Sequence, residues 1–142
     1  MARCTHHLTI PSRTSQLARV RRCVMEWATE AGLSDADAQA LQMAVDEACA
    51  NAIEHAYGGR TDGRVEVEAM MKRDALVVTV RHKGEPFDPK LHTISALTTM
   101  RDQRRIHGYG LHLMQRLTDD LRFRTKGKTS EVRLTKRRNG SA

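Results

Sequence analysis

Apolar positions along the chain follow two periods, one helical and one alternating, and their succession divides it into elements. Leu17, Val20, Val24 and Trp27 recur at helical spacing, as do Leu41, Val45, Ala48 and Ala52, so each set forms a stripe facing a core. The first helix runs to about Ala31, with Ser12 or Ser15 as its cap and Gly32 as its stop. Ser34 caps the second, with Asp37 as capping-box partner, and that helix continues to Tyr57 before Gly58-Gly59. Residues Thr5 to Ile10 make a short strand stopped by Pro11 and Ser12. Val65, Val67, Ala69 and Met71 alternate in one strand and Leu76, Val78 and Val80 in the next, around a turn at Lys72-Arg73-Asp74.

The period then disappears from Gly84 to about Gly108, a length of loop that in a compact domain serves as a lid or a binding loop. Leu111, Met114, Leu117 and Leu121 mark a third helix starting at Tyr109-Gly110. Leu121 to Arg124 and Val132 to Thr135 are the last strands, with a turn at Gly127. The succession predicts an α+β fold, a two-layer sandwich with helices on one face of a mixed, mostly antiparallel sheet. The length of 142 residues suits a single domain, residues 1–142.

Composition narrows the classes. No apolar run approaches the roughly 20 residues of a membrane span, and the start has no signal-peptide core, so a cytoplasmic protein without a membrane association is expected. Cys4, Cys23 and Cys49 form no Cys-x-x-Cys pair, which suggests neither a disulfide framework nor a zinc site. The net charge of +7 raises nucleic acid as a partner. Aromatic residues make up only 4%, too few for stacking platforms, and a basic surface equally attracts nucleotide phosphates or an acidic protein, so direct nucleic-acid binding is not expected.

The candidate chemistry lies on the second helix. Glu47, Asn51 and Glu54 occupy a face beside the buried stripe, where a carboxylate and an amide one turn apart can hold a metal ion and a water. Taken alone they read equally as a solvated face. Gly84, after the second hairpin strand, lets the backbone approach a ligand closely. Gly108 and Gly110 in His107-Gly108-Tyr109-Gly110-Leu111 sit at a helix mouth, where free N–H groups favour phosphate. Taken singly, each is a turn or a cap.

Together, and in this order, these segments resemble the anti-sigma factor serine kinases of bacterial partner-switching systems, the RsbW and SpoIIAB type, within the GHKL group of ATP-binding domains. Glu47 to Tyr57 is similar to that family's N-box, Gly84 with Pro86-Phe87-Asp88-Pro89 to its G1 box, and Gly108-Tyr109-Gly110-Leu111 to its G2 box. The resemblance implies the GHKL fold, ATP with Mg2+, Glu47 as general base on a protein serine, and Asn51 as the magnesium ligand. It places His55, His82, Gly84, Gly108, Tyr109, Gly110 and Leu111 with Asn51 around the nucleotide. It further implies a sigma factor and a STAS-domain antagonist as partners, and a homodimer. Arg101, Arg104 or Arg105 in the loop can neutralise phosphates. At G1 the family's Asp-x-Gly is here His82-Lys83-Gly84, where a neutral imidazole offers one acceptor nitrogen in place of a carboxylate. That departure keeps open a second expectation, a module that binds its protein partners with weak or absent nucleotide binding and no kinase activity.

Overall fold

The computed structural model describes residues 5–58, 60–83 and 107–138, with side chains from residue 111 onward in the last stretch. Its elements are β1 (Thr5–Pro11), α1 (Leu17–Glu30), α2 (Asp35–Asn51), β2 (Arg64–Met71), β3 (Ala75–Lys83), α3 (His107–Leu117), β4 (Asp120–Lys126) and β5 (Thr129–Arg137). The strands form one sheet in the order β1-β2-β3-β5-β4. Every pairing among the described residues is antiparallel, so the expected mixed sheet is corrected to an antiparallel one. β4 does run in the same direction as β3, but the β4–β5 turn at Gly127 (φ 62°) folds β5 back between them, which removes the parallel contact.

Alternation decides the two faces of the sheet. Val65, Val67 and Ala69 of β2, Leu76, Val78 and Val80 of β3, and Val132 and Leu134 of β5 are buried together with Val20, Val24 and Trp27 of α1 and Leu41, Val45 and Ala48 of α2. α2 is the middle helix, packed between α1 and α3. Its start matches the sequence reading in part. Ser34 Oγ accepts from the Asp37 N–H at 3.1 Å, but the Asp37 carboxylate faces Lys136 Nζ at 3.8 Å instead of closing a capping box.

Four boundaries differ from expectation, three of them for a local reason. Neither Ser12 nor Ser15 caps α1; a single 3-10 turn at Thr14–Gln16 leads into it. The Ser12 hydroxyl instead donates to the Arg60 carbonyl and accepts from the Gly63 N–H, tying the end of β1 to the loop before β2. Pro11 closes β1 rather than stopping it, which an edge strand tolerates. α3 ends at Leu117, where Lys136 Nζ donates to the Leu117 carbonyl at 3.1 Å, and Leu121 belongs to β4.

α2 does not continue to Tyr57 as a regular α-helix. Residues Ala52–Ala56 form a π turn, closed by the Tyr57 N–H donating to the Ala52 carbonyl at 3.2 Å. The wider turn lets Ala52, Ile53 and Ala56 all remain buried and brings the Tyr57 ring over Gly63, where an added Cβ would lie 2.5 Å from Tyr57 Cε1. The Tyr57 hydroxyl donates to the Arg64 carbonyl at 2.6 Å and accepts from the Lys83 N–H at 2.9 Å. One side chain therefore joins the end of α2 to the start of β2 and the end of β3. Tyr57→Phe removes two part-buried hydrogen bonds, and an expected loss of about 1 kcal/mol is to be measured by denaturant unfolding.

Candidate functional site

The end of α2, the end of β3, α3 and the β4–β5 hairpin enclose a cavity. Asn51, His82, Met114, Phe123 and Ser130 are among its walls. Asn51 is 5% exposed and His82 8% exposed, so two polar side chains that the sequence singled out are buried and brought to one space. Asn51 reaches it as the last residue of α2, on the buried side of that helix. His82 reaches it because β3 alternation puts it on the inner face, in register with Leu76, Val78 and Val80.

The chemistry of His82 follows from one contact. Its Nδ1 lies 3.1 Å from the Lys83 carbonyl oxygen, which can only accept, so Nδ1 carries the proton and Nε2 is left as an acceptor. Burial lowers its pKa, outweighing the raising effect of the carbonyl, so the ring is neutral at pH 7. The Tyr57 ring stands edge-on to it at 6.2 Å. An acceptor is thus retained at the position where the related pattern has a carboxylate.

Glu47 is half-buried one turn before Asn51 and does not line the cavity. Its pKa is raised, first by desolvation and then by Asp46 and Glu54. Asp46 is itself held by Arg21 at 3.0 Å. His55 is half-buried in the π turn and also lies outside the cavity walls. Gly84 and the loop arginines Arg101, Arg104 and Arg105 fall outside the described residues. α3 starts at His107, so Gly108 and Tyr109 belong to its first turn, whose leading N–H groups have no partner within the helix, and Gly110 follows directly. Leu111 is 5% exposed and packs in the core, so any role toward a ligand falls to its backbone.

Sequence reasoning missed Ser130, Met114 and Phe123. Ser130 is the direct cross-strand neighbour of His82 and is 5% exposed, a hydroxyl on an otherwise apolar inner face. Extending the Val132–Leu134 alternation back by two residues would have found it. The set of an amide, a ring acceptor and a hydroxyl fits the polar edge of a nucleotide base. Room is the constraint, since water centres reach only about 20 Å³ of the cavity, the space of one or two waters.

Comparison with known proteins assigns the chain to a family. Residues 10–136 match the model of the histidine kinase-like ATPase domain. Serine-protein kinase RsbW of Bacillus velezensis is 32% identical over 137 residues, covering 94% of this chain and 85% of that protein. The Bacillus pumilus RsbW is 34% identical, covering 80% and 74%. The chain belongs to the RsbW family of histidine kinase-like ATPase domains. The fold agrees as well: a Mycobacterium tuberculosis structure of RsbU and RsbW domains superposes with a TM-score of 0.68 at 22% identity, over 95% of this chain and 32% of that one. The Acinetobacter baumannii histidine kinase AdeS gives 0.52 at 9% identity, over 95% of this chain and 68% of that one. Among the described residues no helix is long and apolar enough to cross a membrane.

The histidine state is directly testable. In the unfolded chain the imidazole protonates near its ordinary value of 6.5, while the folded site resists. Stability from this group is therefore complete above that pH and is lost as pH falls through it toward the lower folded value. Nitrogen NMR is expected to show the Nδ1–H tautomer at pH 7.5, a titration midpoint below 6.5, and a steeper acid loss of stability than in His82→Gln.

Proposed function

We infer that the chain is an ATP-dependent protein serine kinase of the partner-switching type, which sequesters a sigma factor and phosphorylates a serine of a STAS-domain antagonist. The observation that carries this reading is the buried Asn51 amide, sharing a cavity with His82 and lying one helical turn from Glu47. That sets an acceptor for the base and a hard oxygen ligand in one cavity, with a general base one helical turn outside it. It acts as one cytoplasmic domain, in a homodimer.

The roles follow from the chemistry of each group. Asn51 supplies an amide oxygen of the kind Mg2+ accepts, and the bound ion supplies neutralisation of phosphate charge. The unpaired first-turn N–H groups of Gly108 and Tyr109 face the phosphates, with Gly110 and Gly84 allowing close approach of the chain and Leu111 anchoring the helix to the core. His55, four residues beyond Asn51, flanks the phosphate end. Glu47 removes the serine proton as that oxygen bonds to the γ-phosphorus and the bond to the bridging oxygen breaks, releasing ADP. Its raised pKa makes it a stronger base than an exposed carboxylate.

Glu47→Gln is expected to lower phosphate transfer to the purified antagonist by a hundredfold or more, on the order of a lost general base, with magnesium-dependent ATP binding by calorimetry unchanged. Undiminished transfer removes Glu47 from the mechanism. One observation favours a second reading: a neutral imidazole at His82 attracts the base amino group less strongly than a carboxylate does. A partner-binding module without kinase activity is the correct reading if the sigma factor binds while calorimetry detects no ATP.

A further inference from the structure

β4 lies at the edge of the sheet opposite β1, and among the described residues it pairs on one side only, with β5. Half of its backbone N–H and C=O groups are therefore directed away from the sheet, along a strand of seven residues. The two rows of side chains it presents differ sharply. On the outer face stand Arg122, Arg124 and Lys126, all exposed; on the helix side stand Leu121 and Phe123, both half-buried and packed against the core from its margin.

Arg133 of the interior strand β5 stands directly opposite Arg122, a like-charge pair that weakens the sheet. The carboxylates nearby are engaged: Asp120 by Arg122 at 2.9 Å and Glu131 by Arg81 at 2.9 Å, with Glu68 also on Arg81 at 3.3 Å. Among the described residues no carboxylate lies within ion-pair distance of Arg124, Lys126 or Arg133. Arg81, Arg124, Lys126 and Arg133 also line one open groove on this face.

We propose that β4 is a docking edge for an extended acidic segment of a protein partner, which adds as a sixth strand with carboxylates and apolar residues in alternation. Its carboxylates fall opposite Arg122, Arg124 and Lys126, at the roughly 5 Å separation of neighbouring strands. Its apolar residues fall on the other row and cover Leu121 and Phe123, while the backbone ladder supplies affinity. A second copy of β4 is disfavoured because it would set cation against cation. Nucleic acid is disfavoured because the apolar row offers a phosphate backbone nothing.

The test uses the full chain and three peptides of about seven residues, matched to the strand length that a ladder requires: Glu and Val alternating, the same composition with Glu and Val in separate blocks, and Lys and Val alternating. Fluorescence anisotropy gives affinity, and amide NMR gives location. The alternating acidic peptide is expected to bind about tenfold or more tightly than either of the others, to slow amide exchange along β4, and to lose about tenfold or more with Arg124→Glu/Lys126→Glu. Unchanged melting confirms that the double variant is folded, since both side chains are exposed. Equal binding of the block peptide, no binding by any peptide, exchange protection elsewhere, or tighter binding of an oligonucleotide each overturns the proposal.

Discussion

The Tyr57 hydroxyl is the constraint on which the cavity depends. By donating to the Arg64 carbonyl and accepting from the Lys83 N–H, it fixes where α2 ends relative to β2 and β3. Asn51 sits six residues before it along the helix and His82 sits one residue before its strand partner, so the same contact sets how the two face one another. Gly63 is required beneath the ring, because any larger residue would meet the aromatic edge. Ser12 then holds Gly63 from the β1 side through its N–H. The site is thus supported from three strands, and a change to that corner moves the cavity walls before it moves the core.

Within that frame, what the sequence revealed was whatever depends on period. The stripes of α1 and α2 and the β2–β3 hairpin were legible because burial on one face enforces spacing, and Ser34 was legible because a side-chain oxygen at that position has a backbone donor to accept. The π turn was not legible: its residues are as helical in preference as those before them, and its cause is tertiary, the pull of Tyr57 onto Gly63. The end of α3 was hidden similarly. Leu121 continues the helical spacing, yet Lys136, remote in sequence, takes the last carbonyl and the chain turns into β4. Ser130 was overlooked because a lone serine in a strand carries no period of its own.

His82 shows how a substitution that looks disabling in a motif can be chemically conservative in place. A carboxylate at the end of β3 would be an acceptor with charge, and burying it beside Ser130 and Tyr57 would require donors to compensate. An imidazole avoids that cost by staying neutral. The choice of acceptor nitrogen is then made by the backbone, since the Lys83 carbonyl occupies Nδ1 and leaves Nε2 available. What is lost is charge assistance, which affects the strength of a hydrogen bond more than its direction.

The alternation of β5 explains how one strand serves two surfaces. Ser130, Val132 and Leu134 point to the helices, while Glu131 and Arg133 point outward beside β4, so a slip of one residue would place a carboxylate in the cavity and a hydroxyl on the open face. The register is held at the far end of the strand, where the Asp119 N–H donates to the Thr135 carbonyl at 2.8 Å and the Arg137 N–H donates to the Asp119 carboxylate at 2.6 Å. Both contacts lie beside the Leu117 carbonyl that Lys136 caps. The end of α3 and the register of β5 are therefore fixed by the same few residues, and the polarity of both surfaces follows from them.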